Sequence, residues 1–356
     1  MSNTIDSRAF TSDELKVFEE GGLLHPFIEL VKKHEDELQL CFRGNTNPKS
    51  ISIYFNNRQV YKVTLNGSVK ISYRTARYWN KCKDDYKKLT EQYHFEGPET
   101  FKDFLKKKDY TLKKKVERSD DYEKIYSTIL KPILDNYFSN NDTYDYFKDA
   151  KGRSHPESEK KAQQKLFNRF KELKSGYFFY DLEFHQTKNE KKGISNENVS
   201  KNEPDMLGIY FDKNRIPQKL VFVEIKSKKD SIGKLDDKKG SGVRGHLNKI
   251  SAYIENKAIL ENRRKEACAL LNNYAQLGLR GLSANMQFDY KYFENIKVQA
   301  LFLFTDEVIN YMENHLDDFK CFEGKAIKVA GNDCTAYAFD EDALNEVLRE
   351  DCLFIP

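Results

Sequence analysis

Apolar residues recur at every second position in two regions of the chain and at intervals of three and four through much of the remainder, so strand-forming and helix-forming blocks alternate. In the first region the runs 37–44 (ELQLCFRG), 50–56 (SISIYFN), 58–65 (RQVYKVTL) and 68–75 (SVKISYRT) are separated by turn residues, with Asn56-Asn57 and Asn66-Gly67 as hairpin signals. This predicts a four-stranded meander. Ahead of it, SDELKVFEEGG carries Ser12-Asp13 as a cap and stops at Gly21-Gly22, while PFIELVKKHEDEL opens on Pro26, so two helices are expected. A helix from about Ala76 to Gln92 should cover one side of the meander, and residues 99–147 read as helical and Lys-rich.

The polar, turn-rich stretch 135–156 places a domain boundary near residues 139–154. The division is an N-terminal α+β recognition or regulatory domain over 1–140 and a second domain over 150–356. In the second domain, Pro156 and Gly176 bracket an amphipathic helix with Ala162, Leu166, Phe170 and Leu173 inward. A strand follows at 177–186, then two apolar runs joined by a loop from Asp212 to Gln218, which predicts a hairpin. Val243, Leu247, Ile250 and Ile254 form the stripe of a helix over 243–260, and the near-continuous apolar run Val298 to Asp306 reads as a strand covered on both faces. A helix at 306–319, short strands KAIKVA and TAYAF, and a last helix from Asp340 complete an α/β chain that is α+β overall.

The hairpin carries the candidate chemistry. Period-2 alternation sets Val221, Val223 and Ile225 on one face of the second strand and Leu220, Phe222, Glu224 and Lys226 on the other. The two charges therefore continue an apolar stripe, where they need a reason. Asp205 and Glu224 can converge on one hard divalent cation, with the main-chain oxygen of Ile225 as a further ligand. Lys226 would hold an attacking water and offset charge on a phosphorus centre. The competing reading is a solvated ion pair on an edge strand, with Pro204 as an ordinary strand start.

Pro204 and Asp205, followed by Glu224, Ile225 and Lys226 in a strand ending at Ser227, resemble the PD-(D/E)xK nuclease superfamily. The resemblance covers roughly residues 155–306. It implies a C-terminal restriction-endonuclease-like mixed sheet flanked by helices, and a nuclease that uses Mg2+ or Mn2+ on Asp205, Glu224 and Ile225, with Lys226 as a catalytic group. DNA is the implied substrate, with RNA left open, and endonuclease action in restriction or antiphage defence and a homodimer are implied with it. An additional acid on the preceding helix is expected at Glu159, with Glu157 as the alternative. The superfamily often carries Gln-x-x-x-Tyr on the helix after its motif; here the Gln is absent, Lys249 and Tyr253 keep the interval, and His246, Lys249 and Tyr253 are the implied substrate-facing residues.

Composition limits the alternatives. With 39% hydrophobic residues, 25 Phe and 21 Tyr the chain can bury a core, while 33% charged residues and no long apolar run speak against a membrane protein. The N-terminus lacks a charged-then-apolar leader pattern, so a cytoplasmic location is expected. The six cysteines show no zinc spacing and read as reduced thiols. A net charge of +4 demands no polyanionic partner, but Arg58 to Lys88 holds nine Lys/Arg against Asp84 and Asp85, interleaved with Tyr61, Tyr73, Tyr78, Trp79 and Tyr86. That stretch is either a nucleic-acid surface or the aromatic core of the small domain. Two rival functions follow: a catalytically silent nucleic-acid-binding scaffold on a nuclease fold, and an effector nuclease gated by a nucleotide or protein partner at the N-terminal domain.

Overall fold

The computed structural model describes residues 8–44, 49–55, 58–67, 69–72, 109–112, 176–182, 204–226, 242–304, 326–327 and 335–340, with isolated positions within 122–131, 163–168 and 308–314. The chain is α+β and divides into two compact units. One gathers residues 8–164 and 273–285; the other gathers 1–7, 165–272 and 286–356. The boundary expected at 139–154, the helix expected from Ala76 and the acids Glu157 and Glu159 lie outside the described residues.

The first unit is built on an antiparallel meander of β1 (Leu38–Arg43), β2 (Ser50–Phe55), β3 (Arg58–Thr64), β4 (Val69–Ser72) and β5 (Asp109–Leu112), in that order. The fifth strand corrects the expectation of four. It arises within a stretch whose lysine triplets suggest helix, yet Tyr110 and Thr111 favour strand and β4 offers an open edge. Helix α1 (Ser12–Leu15) starts one residue earlier than expected. Its cap is Thr11, whose Oγ1 accepts from the Glu14 amide at 3.2 Å while Glu14 returns a carboxylate to the Thr11 amide at 2.8 Å.

Helix α2 (His25–Lys33) takes Pro26 in its first turn and buries Phe27, Ile28, Leu30 and Val31. Phe27 meets the ring of Tyr61 at 5.5 Å, and the Tyr61 hydroxyl donates to the Tyr122 carbonyl at 3.0 Å. Tyr61 is thus a core residue; the other aromatics of that basic stretch lie outside the described residues. Residues 273–285 join this unit through side chains. Asn273 brackets Phe10, accepting from its amide at 2.7 Å and donating to its carbonyl at 2.9 Å. Tyr274 donates to the Leu40 carbonyl at 2.9 Å, and buried Arg280 donates to Gln39.

The second unit holds a six-stranded mixed sheet. Its strands are β6 (Tyr177–Leu182), β7 (Met206–Phe211), β8 (Pro217–Lys226), β9 (Lys297–Phe304), β10 (Ala326–Ile327) and β11 (Thr335–Asp340), in the order β10-β11-β9-β8-β7-β6. All pairs are antiparallel except β8 with β9. The β7–β8 hairpin turns on Asp212, whose Oδ1 accepts from the amides of Asn214 and Ile216 at 2.9 Å each. A parallel pair needs a crossover, and α3 (Val243–Glu255) and α4 (Lys257–Gln276) lie in the chain between β8 and β9. The single helix expected over 243–260 is broken at Asn256, which closes α3 and caps α4 by accepting from the Ile259 amide at 3.1 Å.

Gly208 faces Phe179 across β6 and β7, and a Cβ there would stand 2.5 Å from the Phe179 ring and 2.9 Å from the Phe178 carbonyl oxygen. Even if the ring swung aside, the Phe178 carbonyl oxygen is backbone and would still crowd the new methyl. Gly208→Ala is expected to cost about 1–3 kcal/mol, read as a lower urea midpoint at unchanged slope.

Candidate active site

The hairpin register decides which residues meet. Met206 pairs with Val223 as the last ladder pair of β7, so β8 continues past it through Glu224, Ile225 and Lys226 while Asp205 stands where β7 begins. Oδ2 of Asp205 accepts from the Ile225 amide at 2.8 Å. A strand residue turns its N–H and C=O to the same side, so the Ile225 carbonyl also faces the Asp205 edge.

On the other side, the parallel register sets Glu224 beside Phe302 and Lys226 beside Phe304. These two rings stack at 6.3 Å, and with Phe222 they form the apolar wall of the face. Helix α3 covers it: the ring of Tyr253 packs 5.4 Å from that of Phe222, and Nδ1 of His246 reaches Oε1 of Glu224 at 2.6 Å. The buried stripe of α3 is therefore Val243, His246, Leu247, Ile250 and Tyr253, with Ile254 only half-buried. His246 and Tyr253, implied by the resemblance to face substrate, lie inside the stripe, and Tyr253 has no exposed surface with which to do so. Lys249 is half-buried and close enough to act electrostatically on both Glu224 and His246.

Glu224 is 2% exposed and Lys226 5%, which settles the sequence alternative of a solvated edge pair against solvation. Lys226 Nζ lies 3.7 Å from Oε2 of Glu224. Burial alone would raise the Glu224 carboxyl, but the positive groups His246, Lys226 and Lys249 outweigh it and hold the acid below its ordinary range. Burial likewise pushes the His246 imidazole down, against the opposing pull of Glu224.

No protein-family model matches the chain, and no match is found among curated proteins or solved structures.

Of the residues singled out in the sequence, Asp205, Glu224, Ile225, Lys226, His246 and Lys249 gather at this end of β8. Among the described residues no three His, Cys, Asp or Glu side chains already cage a metal: Asp205 is turned onto an amide and Glu224 onto cations. One acid passed over in the sequence shares the face. Asp181, 1% exposed, is in register with Leu207, which is in register with Phe222. Its signal was a lone carboxylate interrupting the apolar run YFFYDL. Among the described residues the cysteines Cys41 and Cys268 are buried and form no disulfide, and burial pushes the Cys268 thiol up to about 11.

The amide contact of Asp205 separates its structural from its chemical contribution. Asp205→Asn keeps an acceptor for the Ile225 N–H and should leave stability nearly unchanged, whereas Asp205→Ala orphans that donor at about 1–2 kcal/mol. Hydrogen exchange at the Ile225 amide checks this: it should accelerate in the alanine variant and not in the asparagine variant.

Proposed function

We propose that this chain is a metal-dependent nuclease. The second unit is read as a restriction-endonuclease-like domain that hydrolyses phosphodiester bonds, with DNA as substrate by the resemblance of its motif, and the first unit as a module that recognises substrate, ligand or partner. The observation that carries the reading is the burial of Glu224 and Lys226 on the face of β8 that α3 covers, next to the strand start bearing Asp205. Apolar residues of similar size would be at least as stable there, so the charges are best explained by chemistry. Three strands followed by helix and a further strand, from β6 to β9, match the order of elements that the resemblance implies.

The donor set fits a divalent ion. Mg2+ keeps several waters and is commonly held by one or two carboxylates, so the absence of a ready three-residue cage among the described residues is compatible with it. Oε1 of Glu224, buried without a well-formed hydrogen bond, and Asp205, with the Ile225 carbonyl on the same edge, would hold Mg2+ or Mn2+. When bound, the ion would polarise the phosphate and make a coordinated water a stronger nucleophile. Lys226 would orient that water through its ammonium hydrogens and offset charge growing on the phosphoryl oxygens. The Phe302 and Phe304 wall limits bulk water around these charges and strengthens their interactions. Glu159 enters the reading through the resemblance alone.

Plasmid, linear DNA and RNA incubated with the full chain and Mg2+ or Mn2+ test the reading. Cleavage should stop with EDTA, and Asp205→Asn, Glu224→Gln and Lys226→Met should each lower the rate by about 100-fold or more. Unchanged rates in both acid variants would move the site elsewhere, and a Lys226→Met enzyme as fast as wild type would remove that side chain from catalysis.

A further inference from the structure

We propose that His246 is itself a metal ligand, its Nδ1 joining Oε1 of Glu224 on one ion, so that the site favours a first-row transition ion such as Mn2+ over Mg2+. The presence of the ion rests on the nuclease reading above; the choice of ligand rests on geometry. The two atoms stand 2.6 Å apart, and both are cut off from solvent. Neither has a well-formed hydrogen bond among the described residues. A simple imidazole–carboxylate bond would align the N–H with its acceptor, since such bonds weaken steeply when bent. Two close, unaligned donor atoms instead suit a shared third atom.

The dimensions agree. Ligands about 2.1 Å from one ion and at right angles to each other stand roughly 3 Å apart. Nδ1 and Oε1 would separate by only a few tenths of an ångström to admit the ion. Oε2 of Glu224 is turned toward Lys226, which leaves Oε1 as the coordinating oxygen. His246 also occupies an inward position of α3 between Val243 and Ile250, where an apolar residue would complete the stripe. An imidazole nitrogen in the first coordination sphere discriminates by chemistry: Mg2+ takes oxygen almost exclusively, whereas transition ions accept mixed nitrogen and oxygen sets.

Pulsed electron paramagnetic resonance on the full-length protein loaded with Mn2+ reads the ligand directly. A nitrogen-14 coupling from a coordinated imidazole should be present, should convert to nitrogen-15 when histidine alone is isotopically labelled, and should vanish in His246→Gln. Calorimetry should show His246→Gln weakening Mn2+ by about 10-fold or more and Mg2+ by much less. Bound Mn2+ without histidine coupling in the labelled wild type overturns the proposal and leaves the metal-dependent reading standing; that measurement needs no variant to fold. Failure of the wild type to bind Mn2+ overturns both.

Discussion

A carboxylate withdrawn from water needs positive charge or hydrogen-bond donors around it, and the end of β8 is organised by that need. Glu224 is walled by Phe302 and by the covering helix, yet stays ionised because an imidazole and two ammonium groups surround it. Cations from two elements, β8 and α3, are aimed at one acid. The cost of the arrangement is offset only if all of them remain in place, so the site fixes the register of β8 against α3 as much as the fold fixes the site.

Topology explains why the helix is there to supply a partner. β8 pairs antiparallel with β7 and parallel with β9, and a parallel neighbour cannot be reached by a tight turn. The chain therefore crosses over the sheet, and α3 is part of that crossover. The antiparallel hairpin brings Asp205 to one edge of the triplet, and the parallel step lays Phe302 and Phe304 along the other. One strand with unlike neighbours thus has an acid on one side and an apolar wall on the other.

Much of this was legible from period and turn chemistry. The faces of β8, the Asp212 hairpin and the four strands from Leu38 to Ser72 follow from alternation between strong turn residues. Four-residue β5 did not, because so short a run between lysine triplets carries no readable period and owes its strand to the open edge of β4. The inward setting of His246 was missed for a different reason: a polar residue at a helical core position looks like the margin of the stripe until its buried partner is known. The break at Asn256 was signalled only by one capping side chain. The return of residues 273–285 to the first unit had no sequence signal, since side-chain hydrogen bonds to distant backbone leave no periodicity.

That return restricts how the polypeptide can be rearranged. Helix α4 starts among residues of one unit and ends among those of the other, and Asn273 supplies the partners of the Phe10 amide and carbonyl. A fragment ending near residue 164 would leave both Phe10 groups without that bracket, and the complementary fragment would carry Tyr274 and Arg280 without their acceptors. No single scission yields two complete modules. Recombination that swapped one half for a foreign domain would have to carry the 273–285 segment along.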